Sequence, residues 1–291
     1  MQNTWVQILL LLTPLILVPL ALWRDPEIRL PFSGKLLGTI AALLLAISEL
    51  LSPGLIAGML AGSWLIYTIY LLSFLTRIWK AGVKQNLFYR SSRAAALLFL
   101  VIGGAWALLD RLGLQPLHFD PIIVLLTAVH FHYAGFAISW VAGKAAAIAS
   151  PSMVRNLLWA VIAGVPLTAL GITTSQLGWP PELEMLGAVI MVSGGVATAV
   201  CYLRLGATGK AGWSIRLLWL LGGLCLLGGM LLALGYGLRY YLPIRALTIP
   251  RMYMLHGSLN SIGFALPILL SWYLYQNFSS PLAQEVKTKP Q

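Results

Sequence analysis

The sequence predicts an all-α integral membrane protein, a bundle of about nine transmembrane helices with its N-terminus outside and its C-terminus in the cytoplasm. Three observations carry this. Only 9% of the 291 residues are charged and 59% are hydrophobic, whereas a soluble domain is about one quarter charged. The apolar residues run in long unbroken stretches instead of alternating at every second position, which selects helices over a β-barrel. Of the nineteen Lys and Arg, all but Arg111, Arg239, Arg245 and Arg251 fall on one side of the membrane once the stretches are threaded through it, a strong positive-inside bias.

The apolar segments lie at about 5–23, 36–51, 54–76, 94–112, 120–142, 154–172, 183–203, 214–236 and 252–275. Each approaches the roughly 20 residues that cross a bilayer, except the short second one. From Leu36 to Trp79 a single helix would reach about 65 Å, twice the hydrocarbon thickness. Ser52-Pro53-Gly54 supplies the break and brings the count to nine. The first segment follows Met1 to Trp5 without the basic start of a signal peptide, so it is expected to be a retained helix. These segments form one membrane domain over 1–278, and 279–291 is expected to be a disordered cytoplasmic tail.

The net charge of +11 does not indicate nucleic acid, because the cations sit between apolar segments, where they set topology and meet anionic lipid. Cys201 and Cys225 fall inside apolar segments, read as small hydrophobes, and imply no disulfide. Gly54, Gly58 and Gly62 make a small-residue stripe that suits packing within the monomer, with a dimer face as the minor reading. Trp5, Trp23, Trp79, Trp179 and Trp213 stand near segment ends, where an interfacial belt belongs. With no organelle-targeting segment, a bacterial-type plasma (inner) membrane is the expected location.

Few ionisable residues lie within the apolar segments: Glu49, Asp110 near a helix end, His130, His132 and His256. An intramembrane ionisable group is costly, so each is a candidate for function. Asp25, Glu27 and Glu285 read as ordinary loop or tail charges, and Glu182 and Glu184 as solvated near an outer helix end. At 1.5 Å per residue, His130 and His132 lie about 15–18 Å deep, His256 about 6–9 Å and Asn260 about 12–15 Å. Glu49 also falls in the outer half. A pocket opening outward would gather this layer, although depth alone does not say which helices touch. His256 and Asn260 share a helix face one turn apart. His130 and His132, at i and i+2, point about 200° apart, so one is expected to act while the other hydrogen-bonds a neighbouring helix.

His130-Phe131-His132-Tyr133-Ala134-Gly135-Phe136, together with His256-Gly257 through Asn260 to Gly263-Phe264, resembles the recurrent motifs of the YndJ-like family of bacterial membrane proteins. The resemblance covers most of the membrane domain and implies a polytopic helical fold, without a settled function to carry over. More locally, His130-Phe131-His132-Tyr133 resembles the motif of haem-copper oxidase subunit I, where two such histidines bind different haems on opposite helix faces.

Three functions compete. The leading expectation is an enzyme acting by acid–base chemistry on a lipophilic, isoprenoid-like substrate. His130, His132 and His256 with Glu49 would move protons, and Asn260 would orient the substrate. Trp106, Tyr133 and Phe264 would line the pocket, with Asp110 at its rim. That reading needs no cofactor; its partners are membrane lipids and one lipophilic small molecule. A transporter or proton-coupled carrier is the second expectation, weakened by the absence of an inverted repeat. A haem or metal protein using His256 with His130 or His132 is the third. The depth mismatch between His256 and His132 counts against a compact metal site.

Overall fold

The computed structural model describes residues 4–81, 87–148, 152–242 and 244–278. Among them are nine helices long and apolar enough to cross a membrane, and no strand. They are α1 (Thr4–Leu22), α2 (Phe32–Glu49), α3 (Leu55–Lys80), α4 (Leu87–Leu112), α5 (Pro121–Ala147), α6 (Asn156–Gln176), α7 (Glu182–Thr208), α8 (Trp213–Gly237) and α9 (Ile249–Tyr275). Residues 279–291, expected to be a tail, lie outside the described residues.

Eight of the helices close a circuit in chain order, α1, α2, α3, α4, α6, α7, α8, α9 and back to α1. The remaining one, α5, runs through the middle and packs on α1, α4, α6, α7 and α9. It is the most buried of the nine. The stretch that carries two of the four histidines is thus the axis of the bundle. Helices α2 and α3 are far less enclosed and leave Ile56, Met59 and Ile66 open, as lipid-facing residues should be.

The α2–α3 break falls where Pro53 and Gly54 place it. Gly54 has φ 159° and ψ −173°, a conformation nearly reserved to glycine. Its N–H donates to the Arg111 carbonyl at 2.8 Å, which ties the turn to the end of α4. The small-residue stripe of α3 faces that same helix: a side chain at Gly58 would collide with Leu112.

Several helices run past the ends given by the hydropathy reading, and two of these extensions bury a cation. Helix α4 begins at Leu87, and α5 continues to Ala147. The first takes Arg90 and Arg93 into the helix and the second Lys144, and of these Arg93 and Lys144 are buried. A hydropathy count stops at a charge; the chain does not, because both cations find carboxylates.

The helices are not uniform. Wider π-helical turns occupy Thr13–Leu17 in α1, Phe131–Ala137 in α5, and Met252–His256 and Leu259–Ala265 in α9. Proline explains part of this: Pro14 sits in the first and Pro267 follows the last, each removing an N–H donor from the regular ladder. Such turns are frequent at functional sites, and here the three helices that carry them touch one another.

Candidate functional site

The π-helical turns converge on Tyr133. Its hydroxyl donates to the Leu9 carbonyl of α1 at 2.8 Å and lies beside Thr13 of α1 and Ser261 of α9. Thr13 Oγ1 is buried without a well-formed hydrogen bond. One phenol therefore ties α5 to both neighbours at the level where all three ladders widen.

The two histidines of α5 part company around this point. His132 is fully buried. Its Nδ1 lies 2.7 Å from the Ala128 carbonyl, and its Nε2 accepts from the Trp64 indole N–H of α3 at 3.0 Å. A carbonyl only accepts, so Nδ1 carries the proton and Nε2 the lone pair. Both ring nitrogens are occupied, and the ring links α3 to α5. Gly103 makes room for it on α4, since a Cβ there would come within 2.6 Å of the His132 ring.

His130 turns the other way and is exposed. Its Nδ1 is held by the Leu126 carbonyl at 2.7 Å. Its ring lies nearly parallel to that of His256, 24° between planes and 6.5 Å between centroids. His256 Nδ1 is held by the Gly229 carbonyl of α8 at 2.9 Å. In both rings the carbonyl fixes the proton on Nδ1, which leaves Nε2 as the nitrogen for other chemistry.

Asn260 completes the group. Its Nδ2 donates to the His256 carbonyl at 2.9 Å and lies 3.1 and 3.2 Å from the two ring nitrogens. Near-equal distances place the amide over the ring face and away from the in-plane Nε2 lone pair, an N–H···π contact. Asn260 Oδ1 is buried and has no partner.

Counting depth from helix ends separates His256 from the α5 histidines, yet the bundle pairs His256 with His130. The count assumes that α5 and α9 start level. The ring contact puts the two histidines level, and α9 begins at Ile249, earlier than the hydropathy reading places it, which carries His256 deeper than counted.

The remaining sequence candidates take other places. Glu49 accepts from Gln7 Nε2 of α1 at 2.9 Å and lies 3.5 Å from Arg111 Nε. Asp110 shares that guanidinium at 2.8 Å. Arg111 also donates to the Ser48 and Leu51 carbonyls, so this trio fastens the end of α2 to α4. Trp106 packs on Phe119 in the loop before α5, and Phe264 meets Tyr202 edge-on. Among the nine candidates the structure brings His130, His256 and Asn260 into one contact group.

The model of the YndJ-like protein family matches residues 8–264. The chain belongs to the YndJ-like family. Within this family it is 29% identical over 213 residues to a protein named "Uncharacterized membrane protein YndJ" of Bacillus subtilis (strain 168). The match takes in 72% of this chain and 37% of that relative, so the chain spans little more than a third of the relative's length. No solved structure matches the chain.

One polar cluster of this YndJ-like bundle is absent from the sequence candidates. Asp25 and Glu27, which read as loop charges, fold onto Arg93 and Lys144. Arg93 Nη2 lies 2.6 Å from Asp25 Oδ1, and Lys144 Nζ lies 3.2 Å from Asp25 Oδ2. Arg93 Nη1 meets both Glu27 and Tyr89. The indole of Trp140 covers the Arg93 guanidinium at 4.1 Å. Burial works to raise the Asp25 carboxyl, but Lys144 and Arg93 outweigh it and hold it at about 2. A Glu27-Ile28 backbone pair also donates to Asp25 Oδ1. The available signal was an Asp and a Glu next to Pro26 in an otherwise acid-poor chain.

Proposed function

We propose that this membrane protein is an enzyme that performs acid–base chemistry on a lipophilic substrate at the His130–His256 pair. The observation that carries the reading is the state of the two rings: each has Nδ1 anchored by a backbone carbonyl and Nε2 left for a reacting group. Anchoring of this kind sets tautomer and orientation before a substrate arrives. His130 is the reachable member and takes up the proton; His256 stands beside it as the second acceptor. Asn260 keeps the His256 ring in place from above. His132 supports the site by fixing α3 on α5 and does not itself move a proton.

The test is conversion of a membrane-lipid extract by the detergent-purified protein, followed by mass spectrometry. The wild-type chain is expected to deplete one lipophilic component, and His130→Ala and His256→Ala to lose at least about a hundredfold in rate, the usual scale of a general base. Full conversion by both variants would sink the reading.

On the charge asymmetry of the loops, the protein sits in a bacterial-type plasma membrane with its C-terminus in the cytoplasm and this pair in the outer half. A reporter fused to the C-terminus should be active only in the cytoplasm; activity outside reverses the topology.

A further inference from the structure

We infer that the His130–His256 pair binds an uncharged lipid alcohol, recognised through its hydroxyl, and not an isoprenoid phosphate or an amine. This rests on the pair being the substrate site and adds the class of headgroup it takes.

The argument is a census of what surrounds the rings. The pair lies on α5 and α9, and α1 and α8 touch it: Leu9 stands against Gly257, and Gly229 holds His256. The spans of these four helices contain no Asp or Glu. They contain three cations, none of them in contact with the pair. Lys144 pairs with Asp25. Arg216 donates to the Gly206 and Ala207 carbonyls. Arg251, the nearest along the chain, donates back to the Ala246 carbonyl. Beyond these helices, Arg111 is shared by Glu49 and Asp110, and Arg93 by Asp25 and Glu27.

The contacts of the two rings include neither a cation nor a carboxylate, so a phosphate or an ammonium seated on them would be desolvated without a counter-charge. What the site presents is acceptors: the Nε2 lone pairs of His130 and His256, both with their protons committed at Nδ1. A neutral acceptor pair in apolar surroundings selects a neutral donor, and an O–H is the donor that a lipid tail most simply carries. The exposed His130 ring gives such a tail a way in from the bilayer.

Three probes with one tail test this: farnesol, farnesyl phosphate and farnesylamine, titrated against the full chain in detergent by native mass spectrometry and thermal shift. Farnesol should bind at least about tenfold more tightly than either charged analogue, the discrimination expected when a buried polar group is left unmatched. Its affinity should drop about tenfold in His130→Ala and in His256→Ala. His256→Gln, which retains an acceptor, should recover part of it if the first variant at that position folds poorly. Equal or tighter binding of the phosphate or the amine overturns the inference, as does farnesol affinity unchanged in all three variants or no farnesol binding at all. Farnesol binding without conversion of any lipid extract would instead remove the acid–base reading and leave the headgroup assignment standing. Conversion without farnesol binding does the reverse.

Discussion

Two of the polar clusters in the bundle are built on opposite terms. Asp25, Glu27, Arg93 and Lys144 hold two positive and two negative charges at the end of the bundle where α1 turns into α2. Their partners are one another, and Trp140 and Trp272 roof the cations at 4.1 and 5.6 Å. Every charge in that cluster is matched by an opposite one within it. The His130–His256–Asn260 group holds no charged residue, and it keeps two ring nitrogens and one amide oxygen uncommitted. A membrane protein tolerates buried charge where it is matched at once. Uncommitted polar atoms in the other cluster are therefore the more informative feature, because the fold has no use for them.

If the comparison is right, the charged cluster carries stability. Removing one member of a buried pair leaves the other charge uncompensated, at about 3–5 kcal/mol. Asp25→Ala strands Lys144 and takes one of the two carboxylates from Arg93, and it is expected to have the largest effect of any single change here. Thermal unfolding of the purified protein reads it, and a loss under about 1 kcal/mol would show that the cluster is ornamental. The same melts report pH. The Asp25 carboxyl sits at about 2 in the fold against an ordinary 3.8, so its contribution is complete above pH 4 and disappears as pH falls through the interval between those values. Asp25→Ala should therefore melt well below the wild-type chain between about pH 6 and 8 and should lack that acid-side decline.

The fold class, the nine spans and their order could be read directly, because span length and apolar run length are set by the bilayer alone. The opposed facing of His130 and His132 also follows from helix geometry, and the link from His132 to a neighbouring helix was expected for one of the two. Depth misled where a helix starts earlier than its apolar run, as for His256 against His130. Asp25, Glu27 and Arg93 could not be placed from sequence at all. Their meaning depends on a loop folding back onto two helices distant in the chain, and Asp25 and Lys144 are separated by 119 positions. A charge beside a span looks the same whether it faces water or is closed over by tryptophan. Trp64 escaped for a related reason: a tryptophan in the middle of an apolar run reads as packing until its indole N–H is seen on the ring of His132.

The smallest expected change in stability separates the two histidines of one motif and puts the comparison at its sharpest. His132→Ala removes an acceptor from a buried indole N–H and leaves a void beside Gly103, so it should cost about 1–3 kcal/mol. In Trp64→Phe the donor is absent already, and adding His132→Ala to it should cost less than in the native background, the non-additivity expected of directly bonded partners. His130→Ala removes an exposed ring whose one bond is to a carbonyl of its own helix, and it should change stability by no more than about 0.5 kcal/mol. Thermal melts and the lipid-conversion assay on the same preparations then divide the pair. His132→Ala should melt early and retain activity at temperatures where it remains folded, and His130→Ala should melt like the wild-type chain and be inactive. If the two variants lose stability alike, His130 is a packing residue and the site loses its reachable base. If both stay active while folded, the uncommitted nitrogens serve binding without proton transfer.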